Sequence, residues 1–279
     1  MAGADTTRTV GETRPPDPPA LQRALVSMRL RAADLVDTVS GRRDRLTPPR
    51  RLSLYVGHGD FRATGEEFLG LFRQLVDLRA QDRVLDIGCG IGRMARVLVP
   101  VLRPPGSYDG FDIAQDGIRW CQAHYRDTPA PFRFEHADVH NSVYNAAGRD
   151  TPETYRFPYG DDSFDLAIAT SVFTHLLPKA ADHYLAQAAR VLAPKGRLFT
   201  TWFLTEGQDS PSHPFKRDPA TEPAATTDPA APETAVAYPE AWLRERLDAN
   251  GLELQAIHAG SWRSDTGLTM QDVVVARRR

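Results

Sequence analysis

Val84-Leu85-Asp86-Ile87-Gly88-Cys89-Gly90-Ile91-Gly92-Arg93 is the stretch whose reading decides the fold. A short apolar run of strand length meets alternating glycines, and an amphipathic pattern then continues to about Leu102. Glycine is needed here for a steric reason. The chain must turn tightly and then leave its backbone bare enough for a ligand to reach contact distance. Downstream, Ser107–Ile113, Phe132–His136, Ser163–Thr170 and Arg197–Leu204 read as further strands. Helical patterns at Asp116–Tyr125 and Ala180–Leu192 fall between them. Strand–helix alternation at this spacing predicts parallel strands with crossover helices on both faces. The end of the chain departs from it: a helix over Pro239–Asn250 stops at Gly251, and Leu252–His258 and Gln271–Val275 follow as an antiparallel pair.

Two nucleotide readings compete for the glycine loop. A dinucleotide fingerprint has Gly-x-Gly-x-x-Gly, with pyrophosphate over the helix N-terminus. Here the spacing is Gly-x-Gly-x-Gly, and Arg93 holds the place of the third dinucleotide glycine. Asp86, two residues before the first glycine, would oppose an anionic pyrophosphate and suits a ligand that presents an ammonium group. The dinucleotide reading loses on both counts.

From about residue 82 to residue 279 the chain resembles the class I S-adenosylmethionine-dependent methyltransferases. The glycine motif matches that family's first motif without a gap. Tyr108-Asp109-Gly110-Phe111-Asp112 ends the second strand, and the resemblance puts Asp112 on the ribose hydroxyls and Ile113 against adenine. Ala137-Asp138-Val139 matches the position that meets the adenine amino group, and Thr170-Ser171 opens the segment after the fourth strand. Pro194 and Gly196 match the turn before strand five, although Arg197 stands where the family has a second glycine. The implied cofactor is S-adenosyl-L-methionine, held by Asp86, Gly88, Cys89, Gly90, Gly92, Arg93, Asp112, Ile113, Asp138, Val139, Thr170 and Ser171. The Gly57-His-Gly-Asp-Phe61 loop, Phe173-Thr-His-Leu176 and Gly260-Ser-Trp262 resemble a bacterial branch of small-molecule methyltransferases. The implied fold is a Rossmann-like, doubly wound α/β domain with seven strands, one of the last antiparallel.

Composition sets the outer bounds. Basic residues number 34 and acidic ones 36, which argues against a strongly basic nucleic-acid surface. There is also no Asp/Asn-Pro-Pro-Tyr motif after strand four of the kind used on flipped bases. Of 22 prolines, four lie in residues 1–20 and seven in 206–240, among Ala, Thr, Asp and Glu. Neither segment can bury enough apolar surface to offset its ordering entropy, so both read as loop or disorder. The expected domains are a tail at 1–19, a helical N-terminal cap at 20–80, and a core at 81–279 carrying the Pro-rich insertion 206–237, read as a lid or a disordered segment. In the cap, Leu21, Leu25, Met28, Leu35, Val36 and Val39 share a helical face, and Thr64 is read as the N-cap of a second helix running to Leu78. Two cysteines, Cys89 and Cys121, are too few for a disulfide framework. With no signal-peptide core and no apolar run near 18 residues, the expectation is a cytoplasmic protein with no membrane partner.

Methyl transfer to a hydroxyl needs a base at the C-terminal edge of the sheet, beside the methyl group. His175, just after the fourth strand, is the first candidate; capping or pocket support is its plainer role. His58 and Asp60 lie in the loop ahead of the core and are further catalytic candidates, with a helix-capping Asp60 as the alternative. Tyr55, Tyr159 and Trp202 are candidate acceptor contacts, although buried aromatics are more often core. His136 and His140 cross from strand to loop and do not make a metal site, so no metal is expected. Arg42, Arg43, Arg45, Arg50 and Arg51 form a basic cluster tempered by Asp44, read as a solvated face, and Arg277-Arg-Arg279 reads as a solvated end. The expected function is methyl transfer from S-adenosylmethionine to a small molecule, with a hydroxyl of a sugar or secondary metabolite first. N-, S- or C-methylation, a nicotinamide oxidoreductase and a non-catalytic cofactor-binding protein stay open, as does a homodimer.

Overall fold

The computed structural model describes residues 28, 32–34, 36–40, 43–53, 59–205 and 214–279. Two helices precede the sheet, α1 (Arg50–Ser53) and α2 (Phe61–Val76). Then follow β1 (Arg83–Ile87), α3 (Arg93–Leu98), β2 (Ser107–Asp112), α4 (Gln115–His124), β3 (Phe132–His136) and β4 (Phe164–Ala169). After a 3-10 turn at Phe173–His175 come α5 (Pro178–Val191) and β5 (Leu192–Trp202). Four short strands follow, β6 (Leu204–Thr205), β7 (Lys216–Arg217), β8 (Ala225–Thr226) and β9 (Val236–Pro239). The chain closes with α6 (Glu240–Ala249), β10 (Leu252–His258) and β11 (Asp272–Arg278).

The main sheet has seven strands in the order β10-β11-β5-β4-β1-β2-β3. The five strands from β5 to β3 pair in parallel, and β11 is antiparallel to both of its neighbours. Strand side chains alternate between faces. Leu85 and Ile87 enter one apolar cluster with α5 and α6, while Val84 enters a second with α2, α3 and α4. Helices therefore cover both faces, as the sequence predicts. Because β1 leads towards β2 on one side while β4 lies on the other, the strand order reverses between β1 and β4. In open α/β sheets, ligands bind at the C-terminal ends of the strands flanking such a point.

Helix α2 belongs to the layer on the sheet: Phe68 and Phe72 pack edge-on against Phe199 of β5, with ring centroids 6.1 and 5.0 Å away. Its N-cap is Asp60, not Thr64. Asp60 Oδ1 accepts from the N–H groups of Arg62 and Ala63 at 2.9 and 2.7 Å, because the helix begins earlier, at the buried Phe61. The apolar stripe expected over 20–40 is corrected where it is described: Met28, Val36 and Val39 are exposed. That segment meets the rest of the protein through buried Asp34, which accepts from Arg50 N and pairs with Arg43. Within the basic cluster Arg43 and Arg50 pair with Asp34 and Asp37, while Asp44 pairs outside it with Arg96. Arg42 and residues 206–213 lie outside the described residues.

The insertion is the main correction. Residues 214–239 are folded: β6, β9, β8 and β7 form a second sheet, and 3-10 turns stand at Pro219–Thr221 and Pro232–Thr234. Phe215, Ala225, Ala235 and Ala237 close an apolar cluster with Phe203 and Trp262. Proline at the first positions of both turns presets the backbone, so the composition that reads as disorder here serves turns. The terminal arginines are also corrected. Arg277 and Arg278 are part of β11, and the Arg278 guanidinium bonds Leu192 O and Asp162.

Candidate functional site

The glycine loop lies at the C-terminal end of β1. Gly88 has φ +74° and Gly92 φ +79°, a region that L side chains rarely adopt. A Cβ on Gly88 would fall 2.4 Å from Val172 Cγ2, so the loop passes directly beneath the segment after β4. Asp112, ending β2, ties into the same loop: Oδ2 accepts from Gly90 N–H and Oδ1 from Ala114 N–H, both at 2.7 Å. Each carboxylate oxygen keeps a second lone pair for a ligand hydroxyl. Burial raises the pKa of Asp112, and the two N–H groups pull it back down.

Asp86 points to the face opposite Leu85 and Ile87 and is fully buried. Tyr108 O–H donates to Oδ2 at 2.6 Å, while Oδ1 has no partner among the described residues. Burial, with the nearby Asp112 charge, pushes this carboxyl up to about 7 against the Tyr108 hydrogen bond. A buried carboxylate with one oxygen unanswered is the donor-seeking end of a binding site, and a cation would answer it best.

Other predicted residues are placed less centrally. Cys89 is buried, and burial pushes its thiol well up. Arg93 turns towards α2, with its guanidinium 6.0 Å from the Phe61 ring centroid and Asp60 favouring its charge. Ile113 is partly buried against the core, and the Val139 side chain lies within it. Asp138 pairs with Arg149 at 2.5 Å, which holds its carboxyl below the usual range. Ser171 is exposed directly after Thr170, at the end of β4, and has φ +58°.

His175 stands on the 3-10 turn after β4. Its Nδ1 lies 2.9 Å from the carbonyl oxygen of Glu233, which can only accept, so Nδ1 carries the proton. In the neutral ring the lone pair is then on Nε2. Burial lowers its pKa, against the Glu233 and Thr234 carbonyls, so the ring is neutral at pH 7. Glu233 comes from the insertion, and its buried carboxylate accepts from Asn141 Nδ2 at 3.2 Å and from the N–H and O–H of Ser142. Tyr144 meets the His175 ring edge-on at 5.1 Å. One network thus joins the β3–β4 connection, the turn after β4 and the insertion.

Two expected acceptor contacts lie in the core. Tyr159 packs edge-on against Phe164 at 5.0 Å, at the start of β4 and so at the end of that strand away from Ser171. Trp202 is fully buried, stacked on Phe173 at 4.2 Å, and donates from Nε1 to Thr200 Oγ1. Both satisfy packing first. Asp60 is occupied as a helix cap, and Tyr55 and His58 lie outside the described residues. Sequence reasoning missed Asn141, Ser142, Tyr144, Glu233, Thr201 and Gln271. The one signal for the Glu233 group was the apolar run Ala235–Tyr238, which marks its segment as anchored.

Comparison with known proteins follows from this geometry. Residues 84–196 match a family model described as a methyltransferase domain. A fatty-acid O-methyltransferase from Mycolicibacterium smegmatis is 33% identical over 119 residues, covering 43% of this chain and 36% of that protein. A 27-O-demethylrifamycin SV methyltransferase from Amycolatopsis mediterranei is 32% identical over 136 residues, covering 47% and 42%. The match therefore spans less than half the length of either relative. Among solved structures, an S-adenosylmethionine-dependent methyltransferase from Mesorhizobium loti superposes with a TM-score of 0.54 at 18% identity, over 76% of this chain and 97% of that one. That last likeness is one of fold. Among the described residues no helix is long and apolar enough to cross a membrane.

Proposed function

Given that the chain carries a methyltransferase domain of the class I S-adenosylmethionine-dependent family at residues 84–196, we propose that it transfers a methyl group from that cofactor to a small-molecule hydroxyl. The observation that carries the cofactor half is Asp86: a fully buried carboxylate, one oxygen without a partner among the described residues, under a bare glycine loop. The residues fit the group. Asp86 would take the ammonium of the methionyl end, Asp112 the ribose hydroxyls, and Ile113 the adenine face. Asp138 would meet the adenine amino group from its place beside Arg149. When bound, the cofactor supplies a sulfonium methyl as electrophile, so the protein's work is orientation, exclusion of water and removal of one proton.

That proton falls to His175. Its ring is held by the Glu233 carbonyl, is neutral at pH 7, and has its basic lone pair on Nε2. With the cofactor bound, the acceptor oxygen would take the methyl group as its carbon–sulfur bond breaks and S-adenosylhomocysteine leaves, and the hydroxyl proton would pass to this nitrogen. A hydroxyl acceptor is favoured over nitrogen, sulfur or carbon because a positioned neutral imidazole has a task only there. The names of the two O-methylating relatives support the same choice, and sugars or other secondary metabolites are the first acceptors to try. The 214–239 segment, pinned to His175, would roof the acceptor.

Calorimetric titration with S-adenosylmethionine, S-adenosylhomocysteine and NADH tests the cofactor assignment. Micromolar binding of the two sulfur ligands alone is expected, and NADH binding would overturn it. Asp112→Ala should weaken cofactor binding tenfold or more, on the order of one buried charge-assisted hydrogen bond pair. His175→Ala should leave cofactor affinity within about twofold and slow turnover by about 10²-fold or more. Equal turnover in that variant would assign the acceptor chemistry to positioning alone, as for an amine or thiol.

A further inference from the structure

Ser171 holds a left-handed backbone, φ +58°, which is strained for a non-glycine residue and persists only where its surroundings impose it. The restraint comes from two strands beyond β4. Ser171 N–H donates to Thr201 Oγ1 on β5 at 2.7 Å. The Thr201 hydroxyl donates in turn to Gln271 Oε1 at 2.5 Å, and Ser171 O–H reaches that same oxygen at 3.1 Å. Thr201 and Gln271 are buried, whereas Ser171 is exposed.

Gln271 itself has little freedom. Its neighbour Asp272, fully buried, accepts from Leu204 N, Gly260 N, Trp262 Nε1 and Arg263 Nε at 2.5–2.8 Å. The rigid end of the β10–β11 connection therefore sets the torsions of a residue 100 positions earlier. The next residue after Ser171 is Val172, whose Cγ2 stands over Gly88.

We propose that Thr201 and Gln271 are positioning residues for cofactor binding: they fix the turn after β4 so that Val172 closes on the glycine loop at Gly88. Neither needs to touch the cofactor. The inference rests on the reading that this loop receives S-adenosylmethionine.

The test is the dissociation constant of S-adenosylhomocysteine by calorimetry, with thermal melting measured alongside, for the wild-type protein and for Thr201→Val, Thr201→Ser and Gln271→Met. Thr201→Val and Gln271→Met should weaken binding about tenfold, the scale of one lost buried hydrogen bond. Thr201→Ser keeps the hydroxyl and should stay within about twofold. Wild-type affinity in the first two, with only the melting temperature lowered, would make the network structural and overturn the proposal. Absence of binding by the wild type would instead sink the cofactor reading beneath it. Ser171→Ala removes the hydroxyl bond to Gln271 at an exposed position, keeps the strained backbone, and serves if the buried variants do not fold. It should also bind more weakly, and unchanged affinity there counts against the proposal.

Discussion

With Oδ2 held by Tyr108 and Oδ1 without a partner among the described residues, Asp86 is half protonated near pH 7. An ammonium beside it favours the carboxylate, so binding must expel a proton below about pH 7 and none above. S-adenosylhomocysteine affinity should therefore rise about tenfold from pH 6 to pH 8, and Asp86→Asn should be flat across that range. Calorimetry in two buffers of different ionisation enthalpy counts the proton directly; a flat wild-type profile would remove Asp86 from the ammonium site. For folding of the free protein the same group acts in the opposite sense. Its folded pKa lies above the ordinary aspartate value of about 3.8, so its contribution is full below that pH and is lost as pH rises through about 7. His175 has a lowered pKa, so its contribution is full above about 6.5 and declines as pH falls. Asp86 and the glycines stand in one short stretch that carries both residue type and spacing, and Asp112 ends the next strand, so their neighbourhood at the sheet edge is legible in the sequence. Glu233, 58 positions from His175, and Gln271, 100 from Ser171, were not, because only the folded chain brings those pairs together.

At the scale of elements, the Glu233 turn is the fastening of the insertion. Glu233→Ala takes the acceptor from the Ser142 N–H and leaves Asn141 Nδ2 with the His175 carbonyl alone. A loss of about 2 kcal/mol is expected, with faster proteolytic cleavage within 206–239. Denaturant unfolding and limited proteolysis check this; unchanged cleavage would mean that the apolar cluster around Phe203, Phe215 and Trp262 holds the segment alone. The central strands of the main sheet were readable because β1, β2, β4 and β5 each carry a run of four or more buried residues within their length. The strands of the insertion were not: β7 and β8 are two residues each, and their stability comes from pairing and from Phe215 rather than from local propensity. Asp60 shows the same limit at a helix start, where a capping carboxylate and a catalytic one look alike in sequence.

Across the whole molecule, Asp272 joins β5–β6, the β10–β11 connection and β11 at one buried carboxylate. Asp272→Ala would remove one ion pair from Arg263 and a buried acceptor from three N–H donors, and about 3–5 kcal/mol of stability should go with it. Chemical denaturation measures that, and a loss under about 1 kcal/mol would show that water replaces the carboxylate. The sheet order carries one more consequence. β11 sits between β5 and β10 yet is synthesised after both. Until Asp272–Arg278 leaves the ribosome, β5 keeps an open edge and β10, which pairs with β11 alone, has no strand to join, so both are open to misassociation. The nascent chain is thus sealed by a late zipper that satisfies both edges at once, and hydrogen exchange during refolding should show amides of β10 and β11 protected together and last.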